Sequence, residues 1–230
     1  MLEFFESVSL LPLVVTFGAY LFGTWVQKKT KLAICNPLLI AIIIVLCLLI
    51  FTGFAPTVYQ AGMEKFGWLL TPATVCLALP LYQQLKNLKN HLPAIIAGVA
   101  SGVVVSLGFI LGMSKLFALS SQMTVSLLPK SITTAIALAL TEQAAGITGL
   151  TTVAISITGI LGNLVGSGLC RLLHITDPIA QGVSLGTSAH VIGTARATQM
   201  DPLAGAVSSL SLAVAGLLTA VLFPIICIFA

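Results

Sequence analysis

Charge is scarce in this chain, with ten Lys and Arg and six Asp and Glu among 230 residues, or 7%, against roughly 25% in soluble domains. So few charges cannot clothe a water-soluble globule in which 58% of residues are hydrophobic and the mean hydropathy is +1.12. The composition excludes a soluble protein and specifies an all-α polytopic membrane protein whose main surroundings are the lipid bilayer. Paired cysteines are lacking too. Cys35, Cys47, Cys76, Cys170 and Cys227 each stand alone, and His91, His174 and His190 are far apart, so neither a disulfide framework nor a metal or cofactor motif is indicated. No nucleophile–base pair and no mid-span pair of carboxylates points to an enzyme. The net charge of +4 comes from short loops and reads as topology signal, not as a nucleic-acid patch. Glu3 and Glu6 occupy the place where a signal peptide carries positive charge, so the first apolar run is expected to remain as an anchor.

At about 20 apolar residues per crossing, the length accommodates about seven or eight membrane segments, forming one integral membrane domain over residues 1–230. The first span is expected at Leu10 to Val26, closed by Lys28, Lys29 and Lys31, and the second at Pro37 to Gly53. The lysines place that end in the cytoplasm and the N-terminus outside. Gly67 to Tyr82 is short and holds Pro72 and Pro80, each of which breaks helical hydrogen bonding, so a kinked span is expected there. Leu92 to Leu111 follows, with Gly98 and Gly102 at close-packing spacing.

In the second half Pro129-Lys130-Ser131 interrupts an apolar pattern that resumes at Ile132 and stops at Glu142. A helix from Ser131 to Glu142 rises about 16 Å, half of a ~30 Å hydrocarbon core, which puts Lys130 near the midplane if Glu142 is at a surface. The element is either re-entrant or fully spanning. Re-entry puts Arg171 and His174, at the end of the Gly149 to Leu169 span, on the cytoplasmic side. Pro178 to Ala197 is interrupted at Gly186-Thr187-Ser188, and Leu203 to Phe229 forms the last span. Similar hydropathy and glycine placement recur at offsets of about 110 to 115 positions, which suggests pseudo-repeats over approximately 9–117 and 120–229. With a re-entrant Pro129 element these have inverted topology, as in many secondary transporters.

Paired helix breaks bring polar groups into the membrane, where irregular backbone is tolerated only against protein or a water-filled cavity. Lys130 has no obvious acidic partner at mid-span. Beside it Ser131, Thr133 and Thr134 open a helix whose free N–H groups and dipole favour anions, so the missing counter-ion is expected to be a small carboxylate substrate. The alternative is a surface Lys130 with Ser131 as a helix cap. Thr187, His190 and Thr194, at i, i+3 and i+7, are expected to form one polar helical face, with Ser188 alongside and Gly186 and Gly193 as breaking or close-packing points. There His190 could carry a proton or be a buried structural histidine. Arg196 is either a carboxylate clamp or an anchor near Asp201. Ser208, Ser209 and Ser211 are expected to pack helices.

Asn36-Pro37-Leu38, Thr71-Pro72-Ala73-Thr74 through Pro80-Leu81-Tyr82, Leu128-Pro129-Lys130-Ser131 with Thr133-Thr134, and Gly186-Thr187-Ser188-Ala189-His190 running into Gly193-Thr194-Ala195-Arg196-Ala197 resemble the LrgB/CidB family of bacterial membrane proteins. Gly205-Ala206-Val207-Ser208-Ser209-Leu210 extends the likeness over nearly the whole chain, while Ala135 stands where the family commonly has proline and Asn163 where it usually has alanine. The resemblance implies the bacterial inner membrane and an antiholin-like role in murein hydrolase export with a small LrgA-like membrane partner. Through a plant relative that exchanges glycolate and glycerate, and bacterial relatives linked to pyruvate uptake, it also implies carriage of small monocarboxylates. The expected function is therefore a carrier for 2-hydroxy or 2-oxo acids working by alternating access, with proton symport or exchange, and the alternative is the antiholin-like protein. Glycine-rich faces are also compatible with a homodimer.

Overall fold

The computed structural model describes residues 11–30, 37–67, 72, 76, 82–83 and 85–229. Pro72 is a helical, exposed residue, whereas Pro80 and most of the kinked span expected around it lie outside the described residues. Among the described residues there are nine α-helices, one short 3-10 turn at Cys227–Phe229 and no strand. They divide between two compact units, Met1–Cys76 and Leu77–Ala230.

The first unit contains α1 (Leu11–Thr30), α2 (Pro37–Thr52) and α3 (Pro56–Gly67). Helix α1 runs past the expected end at Val26, and its last turn carries Lys28 and Lys29, favourable at the negative end of the helix dipole. The Lys29 ammonium sits 5.0 Å above the Trp25 ring, a cation–π contact. Pro37 opens α2 at a position where its missing N–H costs nothing. Gly23 lets the two helices meet, since a β-carbon there would lie 2.8 Å from the Pro37 backbone. Helix α3 was not expected from hydropathy because its sequence is mixed; Pro56 starts it, and the Tyr59 hydroxyl hydrogen-bonds that of Thr16 in α1.

The second unit is built on three helices long and apolar enough to cross a membrane. These are α4 (Leu85–Leu116), whose apolar span is Lys89–Leu116, α7 (Thr148–Leu172) and α9 (Pro202–Ile226). Ile95, Val99, Val103, Leu107 and Ile110 recur at helical spacing on one face of α4 and are buried against Val207, Ala215 and Phe223 of α9. Its other face leaves Ile96 and Val104 exposed, which suits hydrocarbon and not water.

Two shorter elements fill the space among these helices. Helices α5 (Ser121–Leu127) and α6 (Thr134–Gln143) are joined by a turn containing Pro129 and Lys130. Their outer ends lie together. The Gln122 amide donates to the Ala145 carbonyl at 3.3 Å, and the Ile147 N–H donates to Ser126 Oγ at 2.7 Å. Meanwhile the turn reaches Ser106, ten residues or about 15 Å inward from the end of α4. The element therefore enters and leaves at one end of the bundle, as a re-entrant hairpin.

The second short element, α8 (Pro178–Met200), is helical in its hydrogen bonding but changes direction at Ala189 (φ −130°, ψ 20°) and His190 (φ 42°, ψ −138°). Residues from both of its arms consequently pack on the start of α9, with Gly182 against Ala204 and Val207 and Thr198 against Gly205. It too is a hairpin, inserted from the opposite end, with its tip at Gly159 and Gly162 in the middle of α7. The break comes at Ala189 and His190, immediately after the expected Gly186-Thr187-Ser188. Those residues stay helical, and Gly186 is instead a contact point where a β-carbon would strike the Ser208 carbonyl.

Candidate functional site

The hairpin tips meet beside a groove of about 810 Å³ between α4 and the first arm of α8. It runs from exposed His91 and Asp177 at one end to Lys130, Ser131 and Phe109 at the other. Along α4 the distance from His91 to Ser106 is fifteen residues, or about 22 Å. Its walls are mainly apolar, with Gly98 and Gly102 making room for Val183 and Thr187.

Lys130 Nζ donates to Ser131 Oγ at 2.9 Å, and Ser131 Oγ lies 3.4 Å from Ser106 Oγ. Among the described residues Lys130 has no carboxylate partner. Among the described residues two acids are engaged elsewhere, and for a local reason. Asp177 caps α8 through the N–H groups of Ile179 and Ala180, and Asp201 caps α9 through those of Leu203 and Ala204. Glu142 lies at the outer end of α6. A half-buried ammonium with one hydroxyl partner retains donors for an oxygen anion.

Of the residues singled out by sequence, Lys130, Ser131, Thr187 and Ser188 line this groove. Thr133 and Thr134 do not; Thr133 precedes α6 without a side-chain cap bond, and Thr134 is exposed. The expected stripe of Thr187, His190 and Thr194 is dismantled by the reversal at His190. The imidazole Nε2 lies 3.0 Å from the Ile155 carbonyl of α7, and Thr194 bonds Ser208 of α9 at 2.9 Å. His190 thus faces α7 and not the groove. Arg196 donates to Ser167 at 2.8 Å and to Gln199 at 3.3 Å, leaving Asp201 to its capping role. Pro129 stands at the first hairpin's tip, and Gly193 passes the Leu185 carbonyl at the second.

Ser106 was missed because a single serine within an apolar span has no periodic signal; its position four residues after Gly102 on the groove face was the only sequence clue. Asn163, unusual beside the glycines of α7, donates its amide to the Ile192 carbonyl at 3.1 Å, just beyond the reversal.

The LrgB-like family model matches residues 16–229, so the likeness includes both hairpins and all three long spans. Two strains of Staphylococcus epidermidis, RP62A and ATCC 12228, each have a holin-like protein CidB that is 32% identical over 224 residues, covering 97% of this chain and 97% of the relative. No solved structure matches the chain significantly. Together the near-complete match, the apolar spans and the length shared with these relatives establish that the chain is a multi-pass membrane protein belonging to the LrgB-like family.

Proposed function

We propose that this chain is a holin-like component of the bacterial cytoplasmic membrane, acting with a small LrgA-like membrane partner and modulating murein hydrolase export. The supporting observation is likeness to holin-like CidB proteins over 97% of both chains. Co-expression with a small membrane protein encoded beside it, followed by purification through a tag on one chain, tests the pairing. Loss of the gene should then change hydrolase activity outside the cell. No association and no change in hydrolase release or lysis would remove this reading.

One observation favours a second reading, carriage of a small monocarboxylate such as glycolate, glycerate, lactate or pyruvate. It is the Lys130–Ser131 pair at the inner end of the groove, without a protein carboxylate beside it among the described residues. The ammonium would neutralise the carboxylate, the Ser131 hydroxyl that accepts from it would hold it in place, and the apolar walls would set the substrate's size. Two hairpins inserted from opposite ends suit alternating access, in which rocking about the tips exposes the site to each side in turn. Lys89, His91, Arg171 and His174 belong to the end from which α8 enters, which the positive-inside rule makes cytoplasmic. The test is uptake of labelled monocarboxylates into proteoliposomes, with and without a pH gradient and with and without the partner. Saturable uptake lost in Lys130→Ala supports carriage; no uptake by folded protein in any preparation, or full uptake by Lys130→Ala, excludes this site.

A further inference from the structure

We infer that a single water molecule is held between the two hairpin tips, in a pocket behind Lys130 lined by the hydroxyl residues Ser106, Ser131, Thr187 and Thr219. The pocket is about 10 Å³, near the lower limit for one water, and water occupies such a space only where polar partners converge. Here four hydroxyl-bearing residues from α4, both hairpins and α9 share the lining with Val103, Leu107, Leu128 and Ile132.

Thr187 carries the argument. Its hydroxyl is buried with no hydrogen-bond partner, in a residue only 6% exposed. A threonine inside a helix ordinarily donates back to its own helix, and on α8 Ser184, Ser188, Thr194 and Thr198 all do so. Thr187 instead packs its methyl against Gly102 and leaves its hydroxyl unsatisfied. Ser131 has the complementary need. Its oxygen accepts from Lys130, so its proton requires an acceptor, and Ser106 at 3.4 Å is distant for an O–H···O bond. A water in the pocket accepts from Ser131 and serves Thr187, joining the tips of the two hairpins through a polar link.

Thr187→Val tests this, because valine keeps the methyl against Gly102 and removes only the hydroxyl. A dry pocket makes the variant as stable as the parent or more so, since an unsatisfied buried group is lost. A hydrated pocket makes it less stable, with an expected fall in melting temperature of about 2–4 °C, while Ser188→Ala, whose hydroxyl is bonded within its own helix, shifts it less. A high-resolution map of the parent should also contain one solvent peak within hydrogen-bonding reach of Thr187 Oγ1 and Ser131 Oγ. A Thr187→Val melting temperature at or above the parent's, or an empty pocket in the map, overturns the inference. Neither measurement involves uptake or partner capture, so it stands or falls separately from the proposed function.

Discussion

The carbonyl oxygen of Leu185 lies directly against Gly193, where a β-carbon would have to stand. In a continuous helix residues eight apart are separated by about 12 Å; here the reversal at Ala189 and His190 folds one arm onto the other. The same reversal lets Leu185 and Ala197 share a buried cluster with Ala204.

Gly193→Ala should therefore be among the most damaging single substitutions, because backbone and not a flexible side chain occupies the space. The expected loss is about 1–3 kcal/mol or more, seen as a lower melting temperature and poorer recovery of monodisperse protein in detergent. Gly108→Ala, in the interior of α4 with nothing within 4 Å, should be tolerated and stabilise by up to about 1 kcal/mol.

The base of the first hairpin depends on Ser126. Its hydroxyl accepts from the Ile147 N–H at 2.7 Å and donates to the Gln122 carbonyl at 2.6 Å, while its backbone carbonyl accepts from Thr151 at 2.8 Å. Ser126→Ala leaves the Ile147 N–H without that acceptor and should cost about 1–3 kcal/mol. Thermal denaturation of the purified variant is the check.

Access to the groove should follow the hairpin geometry. In a background without the native cysteines, Ser188→Cys should react with a water-soluble thiol reagent, since Ser188 is exposed and lines the groove. Ser126→Cys and Ser208→Cys, at fully buried positions, should not. Equal reaction at all three would contradict the packing of both hairpins.

His190→Ala should act on stability before function. It removes the ring from the Ile155 carbonyl and leaves a gap at Gly159, so a clear drop in melting temperature is expected. If the protein carries a carboxylate, the shape of its pH profile for uptake should be unchanged, because the ring faces α7. A shift of that profile in His190→Ala would assign the imidazole a proton-handling role instead.

Much of the fold follows from local chemistry that a sequence displays. Long apolar runs located α7 and α9 to within a few residues and the middle of α4, which extends beyond the expected Leu92 to Leu111 at both ends, and prolines after asparagine or aspartate marked the starts of α2, α8 and α9. The mixed composition of α3 concealed it. At the candidate site, Lys130 could be singled out because a cation flanked by apolar residues is costly in a membrane. Ser106 could not, since one hydroxyl within an apolar run is ordinary.

The sequence by itself determined that this is a polytopic helical membrane protein, because hydrophobic composition and the satisfaction of backbone hydrogen bonds in lipid leave few other choices. It also determined that the polar interruptions fall in two places. Only the tertiary structure decided which way the chain travels through them. The first interruption is re-entrant because Ser126 binds the backbone of Ile147, and the second reverses because Gly159 and Gly162 of α7 leave room for the His190 ring and the Ala189 methyl while Gly193 lets the two arms of α8 approach. Such contacts join residues distant in sequence, and helical periodicity, which assumes an uninterrupted axis, therefore aligned Thr187, His190 and Thr194 on one face when the folded chain sends them to three different neighbours.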